Sequence, residues 1–212
     1  MPGLTETAQL LVEGKHDQHV IWALCKQHQI PETFTVEVPG DPDGGIEQLL
    51  ESIPVRLKIS RLRAIGIVLD ANQNLQGRWE AVCSRLRSAG YSSLPREAIH
   101  TGTVIETTGK PRIGIWLMPD NQLPGELENF VAHLIPENDF LAAKAEATLL
   151  EIEQANLNQY SLTDHPKAFI HTWLAWQKTP GQPMGQAITA GVLRHNRPLA
   201  ISFVNWLRQL FG

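Results

Sequence analysis

The sequence predicts an α/β fold: a mostly parallel sheet wound with helices, followed by a helical extension. Three observations lead there. Short apolar runs alternate with helical patterns along residues 1–136. Three of those runs, LLVEGKHD, AIGIVLDAN and IGIWLMPDN, end in an acidic residue beside a turn former. From residue 137 onward the apolar spacing turns helical.

Taken in order, Leu10, Leu11 and Val12 form a strand that stops at Glu13 and Gly14, and a helix follows with Val20, Ile21, Leu24 and Cys25 on one face. A second strand, 34–38, runs into the loop 40–45, whose prolines, aspartates and glycines exclude either regular element. A helix is expected from Ile46. The clearest strand is 64–69, ending in Asp70, Ala71 and Asn72, and the helix after it, through Trp79, Val82, Cys83 and Leu86, closes at Gly90. Strands are read at 103–106 and 112–118, with a hairpin around Thr108, Gly109, Lys110 and Pro111 as one way to join them; the second ends in Pro119, Asp120 and Asn121. Helices are expected over 139–154, from Pro166 through Phe169, Ile170, Trp173 and Leu174, and over 199–211, while Gly181, Pro183 and Gly185 break the pattern. Residues 1–136 are thus expected to form the core and 137–212 an extension packed on it.

With 212 residues, the chain suits one large core with an appendage better than two autonomous domains. No apolar run approaches the roughly 18 residues of a membrane span, and the N-terminus carries no basic and apolar leader pattern. Cys25 and Cys83 lack metal-motif or disulfide-framework spacing, which fits a reducing cytoplasm. The net charge of −4 excludes a basic nucleic-acid coat protein but not a nucleic-acid enzyme.

The recurring acidic strand ends are the most informative feature. In an open parallel sheet the C-terminal ends of the strands point to one rim, where ligands bind, so Glu13, Asp70 and Asp120 are expected to converge. An Asp or Asn after a strand also caps a helix or tightens a turn, but three in succession favour convergence. Carboxylates gathered at one rim repel unless a cation neutralises them, and all-oxygen ligands suit Mg²⁺ or Mn²⁺.

The runs Leu11, Val12, Glu13, Gly14, Lys15, His16, Asp17 and Ile67, Val68, Leu69, Asp70, Ala71, Asn72 resemble the first and second motifs of the Toprim domain. The nearest resemblance is to an uncharacterised prokaryotic family with a Toprim-like fold, related to the Toprim half of the overcoming-lysogenization-defect nucleases; it covers about residues 8–135 and extends to 165–211. The resemblance implies a metal site from Glu13, Asp17, Asp70 and Asn72, with Asn72 standing where the family's Asp-x-Asp pair has its second aspartate. It implies a second acidic motif at Gly125, Glu126, Leu127 and Glu128, just after Asp120, and a phosphate-contacting lysine matched by Lys167. Asparagine brings a carbonyl oxygen but no charge, so metal binding weaker than the family's is expected. A topoisomerase would need a tyrosine nucleophile presented by another domain, whereas this sequence has only Tyr91 and Tyr160 and no room for that domain, and a primase would need a cysteine-rich zinc module, which two cysteines cannot make.

Other features are weaker. His16 and His19 lie one helical turn apart without a third nitrogen or sulfur ligand, so His16 is read as lying behind the metal ligands, as is Asn121. The loop 40–45 lacks the lysine and threonine of a P-loop. Arg56, Lys58, Arg61 and Arg63 put four cations into eight residues, either a solvated helix end or a contact to a nucleic-acid backbone. Trp173 and Trp206 are expected in the core, with Trp176 off that face.

These readings combine into a cytoplasmic, Mg²⁺- or Mn²⁺-dependent phosphoesterase acting on nucleic acid or another phosphate ester. Glu13 is its general base, Lys167 its charge stabiliser, and Glu13, Asp17, Asp70, Asn72, Asp120, Glu126 and Glu128 surround the metals. The alternative is a binding module for nucleic acid, nucleotide or a protein partner that keeps the acidic rim and has lost its chemistry.

Overall fold

The computed structural model of the chain describes residues 7–40 and 44–212, so the part of the loop at 41–43 lies outside the described residues. Five strands form one sheet: β1 (Thr7–Leu11), β2 (Thr35–Glu37), β3 (Leu62–Asp70), β4 (Thr103–Ile105) and β5 (Arg112–Met118). Their order is β2-β1-β3-β5-β4, and every pairing is parallel except β4 with β5. The architecture is therefore mixed α/β with a mostly parallel sheet, as the alternating apolar runs require.

Period-two alternation along the central strands splits the core in two. Ile65, Ile67 and Leu69 of β3 and Ile113, Ile115 and Leu117 of β5 face one side. There they meet Leu49, Leu50 and Ile53 of α2 (Ile46–Arg56) and Trp79, Val82, Cys83 and Leu86 of α3 (Leu75–Ser88). Ala64 and Val68 of β3 and Trp116 and Met118 of β5 face the other side, where α1 (Lys15–Gln27) packs through Val20, Ile21 and Leu24.

The same second layer takes in the C-terminal helices. These are α4 (Leu127–Ala132), α5 (Phe140–Gln154), α6 (His165–Ala175), α7 (Met184–Thr189) and α8 (Pro198–Phe211). Trp173 and Trp206 are both 1% exposed within this core, whereas Trp176 is 39% exposed, the division that helical spacing predicts. Trp206 also donates from Nε1 to the Thr103 carbonyl at 3.1 Å, tying α8 to the antiparallel edge strand. Residues from both sides of position 136 thus share one apolar cluster.

Two helices escaped the sequence reading for physical reasons. α4 is only six residues long, too short to show a period, and its start is marked by the Asn129 side chain accepting from the Glu126 amide at 2.9 Å. α7 contains Gly185, which reads as a breaker. A Cβ there would lie 2.6 Å from the His19 carbonyl oxygen, so glycine is what lets α7 lie against α1.

Gly66 and Gly114 are cross-strand partners on β3 and β5 and form the floor on which α8 sits. A Cβ at position 114 would come within 2.3 Å of Leu210 and 3.0 Å of Trp206, both of them buried side chains with little room to retreat. Gly114→Val is expected to destabilise the protein by about 1–3 kcal/mol through overpacking, read as a lower urea midpoint with an unchanged slope. An unchanged midpoint would mean that α8 does not rest there.

Candidate functional site

Glu13 follows β1, Asp70 ends β3, and residues 119–126 lead from β5 into α4, so the parallel sheet carries all three segments to one rim. Backbone amides then hold the carboxylates in place. The Asp70 amide donates to Glu13 Oε1 at 2.8 Å, the Leu127 amide donates to Asp70 Oδ1 at 2.9 Å, and the Gly14 amide donates to Asp17 Oδ2 at 3.2 Å. One oxygen of each carboxylate is fixed by a main-chain donor.

The charges of these groups act on one another. Asp70 is held well above the usual carboxylate range, first by burial and then by the carboxylates of Asp17, Glu13, Glu128 and Glu126. Burial, followed by Glu13 and Glu128, lifts Asp17 from its ordinary 3.8 to about 7, against the opposing hydrogen bonds it accepts from its own amide and that of Gly14. Burial also raises Glu13, opposed by the Asp70 amide and the Arg78 guanidinium. Glu126 is raised by burial and by Glu128 and lowered by Lys167, and its Oε1 is buried without a hydrogen-bond partner. Asp17 and Glu128 are 7% and 5% exposed. Glu13, Asp17, Asp70, Glu126 and Glu128 therefore form one electrostatic cluster, and Lys167, exposed at the start of α6, reaches Glu126.

The other residues singled out in the sequence lie elsewhere or do other work. Asp120 closes a turn: its Oδ1 accepts from the amides of Gln122 at 2.9 Å and Leu123 at 2.8 Å, and it is not among the charges acting on the cluster. Asn121 is buried and clasps the end of β5, accepting from the Leu117 amide at 2.7 Å and donating to the His100 carbonyl at 3.4 Å. Asn72 has an exposed side chain, while its main chain pairs with Gly125 through bonds of 2.7 and 2.8 Å. Its φ of 50° is the left-handed conformation that asparagine tolerates well, so backbone geometry gives the residue a reason of its own. His16 is exposed in the first turn of α1.

Three residues of the basic run are placed away from the rim. Lys58, Arg61 and Arg63 lie at or before the start of β3, and seven residues at about 3.3 Å each separate Arg63 from Asp70, roughly 23 Å. Arg63 donates to the Phe211 carbonyl at 2.9 Å at the end of α8, and Arg56 pairs with Glu37 and bonds Gln9. The neighbours that sequence reading missed are Arg78, on α3, and Asp164, in the short 3-10 turn Leu162–Asp164 that faces Glu126. Neither sits in a motif, since only the packing of α3 and α6 brings them to the rim.

As they stand, no three His, Cys, Asp or Glu side chains among the described residues are grouped closely enough to close on a metal ion. The donor set is still one that a hard divalent cation takes: carboxylate oxygens alone, three of them oriented by amides and one orphaned in the interior. No helix among the described residues is long and apolar enough to cross a membrane.

An α/β protein with a partly buried acidic rim is thus defined by its fold and site. The chain belongs to the family described as protein of unknown function (DUF3226), whose profile matches residues 7–212. No curated protein and no solved structure matches it.

A carboxyl with a raised folded pKa binds more protons folded than unfolded between its two values, so its contribution to stability falls as pH rises through that window. For Asp17 the window runs from 3.8 to about 7, and Asp70 adds to it in the same direction. In EDTA, the melting temperature is expected to fall as pH rises from about 4.5 to 7.5. Asp70→Asn, which keeps an acceptor for the Leu127 amide, is expected to flatten that slope and to melt higher than the parent at neutral pH. A parent whose melting temperature rises across this range would contradict the assignment.

Proposed function

We propose that the rim is a divalent-metal site for phosphoester hydrolysis, with nucleic acid as the leading substrate class. The observation that carries the reading is the gathering of Glu13, Asp17, Asp70, Glu126 and Glu128 into one partly buried, mutually repelling set. Arg78 acts on Glu13 and Lys167 on Glu126, against the five clustered carboxylates. A doubly charged cation would remove the repulsion, and the order of the motifs around Glu13 and Asp70 resembles that of Toprim nucleases. Asp120 is left out of the ligand set because its carboxylate is committed to a turn.

Glu13, Asp70 and Asp17 would hold the ion with their carboxylates, with Glu126 and Glu128 on the α4 side. Mg²⁺ or Mn²⁺ bound there supplies Lewis acidity to a phosphoryl oxygen and to water. Glu13, kept protonatable by burial, is the group placed to take a proton, and the Asp70 amide fixes the direction of its carboxylate. Lys167 is exposed beside Glu126, where its ammonium meets charge developing on a substrate. Asn129, Gln73 and Thr163 line a cleft next to Glu126, which gives the substrate polar contacts beyond the phosphate.

A second reading, a binding module without turnover, is favoured by the exposed amide of Asn72 and by the open spacing of the acids. Incubation of the protein with single- and double-stranded DNA and RNA in Mg²⁺ or Mn²⁺ separates the two. Cleavage that falls at least about a hundredfold in both Glu13→Gln and Asp70→Asn is expected. Equal activity in those variants would overturn the enzyme reading, and Mn²⁺ binding without cleavage, converted to cleavage by Asn72→Asp, would establish the second.

A further inference from the structure

His165 follows the 3-10 turn Leu162–Asp164 and opens α6, and its ring lies between two glutamates of α5. Nδ1 is 2.7 Å from Glu153 Oε1, and Nε2 is 3.2 Å from Glu146 Oε2. An ionised carboxylate only accepts, so each ring nitrogen facing one must carry a proton, and both contacts are made together only by the imidazolium. Tyr160, from the connection between the two helices, donates its hydroxyl to the same Glu153 Oε1 at 2.7 Å. Glu146 and Glu153 stand two turns apart on α5 and so share a face.

This clasp bears on how α6 is held. Of the 15 residues of α5 only Ala145 and Leu149 are buried, so apolar packing holds the helix pair thinly and polar contacts weigh more. Within two residues of His165 stand the groups that this turn presents to the rim. Thr163, Asp164 and Pro166 line one cleft with Asn72, Gly125 and Glu126, and Lys167 and Asp164 act on Glu126.

The surrounding charges favour the protonated ring. Burial lowers its pKa, but the hydrogen bonds to Glu153 and Glu146, and the charges of both, outweigh that and raise it above its ordinary 6.5. Glu153 moves the other way, held below the ordinary carboxylate range by the hydrogen bonds from His165 and Tyr160. Of the remaining charged groups nearby, Glu128 of α4 and Asp164 and Lys167 beside His165 gather at Glu126.

We propose that His165 is a positioning residue of the rim: as an imidazolium clasped by Glu146 and Glu153 it holds the first turn of α6, and with it Lys167, at Glu126, and it frees that turn when the ring loses its proton. What this does to a substrate rests on the phosphoester-hydrolysis reading; the clasp itself does not. Because the folded pKa is raised, the clasp contributes fully below about 6.5 and is lost as pH rises through the folded value.

Imidazole spectra of the ¹⁵N-labelled full chain in EDTA, recorded from about pH 5 to 9, follow the eight histidines, and the signals missing from His165→Gln are those of His165. Their midpoint is expected above 6.5 and about one unit lower in Glu153→Gln, with the Glu126 amide on the α4 side of the cleft carrying a step at the same midpoint in both proteins. Glu146→Gln, a change at a half-exposed side chain, repeats the comparison should Glu153→Gln fail to fold. A His165 midpoint at or below 6.5, or one that leaves the Glu126 amide unmoved, overturns the proposal. With a cleaved substrate and Mg²⁺, kcat/KM is expected to fall about tenfold or more on the alkaline side of that midpoint, and the fall is expected to move with the midpoint in Glu153→Gln. A profile that stays in place also overturns the proposal. A parent that cleaves nothing at any pH counts against phosphoester hydrolysis alone, and the Glu126 amide then decides the clasp.

Discussion

Asp70 is the constraint on which the rim depends. Its amide donates to Glu13 and its carboxylate accepts from Leu127, so one residue at the end of the central β3 links the loop after β1 to the start of α4. Both bonds pair a main-chain donor with a side-chain carboxylate, so the parallel sheet sets the donors and the acidic residues at the strand ends answer them. The same two bonds bring the acidic side chains into a space where their charges oppose one another. Main-chain geometry thus imposes a repulsion that the side chains alone would avoid by separating.

The rest of the molecule supplies the rigidity that keeps them there. Two apolar layers clamp β3 and β5, and the glycines at 66 and 114 let α8 approach the sheet closely on one side. The Phe34 and Phe211 rings stack at 3.9 Å, and Arg63 fastens the last carbonyls of α8 to the start of β3. The helices after residue 136 contribute to the site itself: α6 brings Lys167, and the turn before it brings Asp164, to Glu126. A site with this much uncompensated charge lowers the stability of its own scaffold, the pattern expected where a structure is shaped for a ligand rather than for maximal stability.

Much of the fold was legible because the apolar pattern is strong where the strands are buried on both faces. Residues 112–118 form the expected strand, and 103–105 pairs antiparallel to it across the 108–111 connection. Elements that depend on tertiary contact were not legible, as the Gly185 crossing and the short α4 illustrate. The site divides in the same way. The acids that follow β1 and β3 can be found by reading strand ends, but the same rule also selects Asp120, whose carboxylate turns back onto its own loop. Sequence alone cannot separate these outcomes, because an aspartate after a strand has both options until the next helix is placed. Arg78 acts on Glu13 from the first turn of α3 and carries no motif at all.

Whether the repelling carboxylates are a cation site decides the function of the rim, and a crystal soaked in Mn²⁺ and measured for anomalous scattering answers that question. The expected result is an anomalous peak bounded by Glu13, Asp70 and the Glu126–Glu128 side, abolished in Asp70→Asn. A Mn²⁺-saturated crystal with no peak there, and with the carboxylates in the same positions, would contradict the assignment of a metal site.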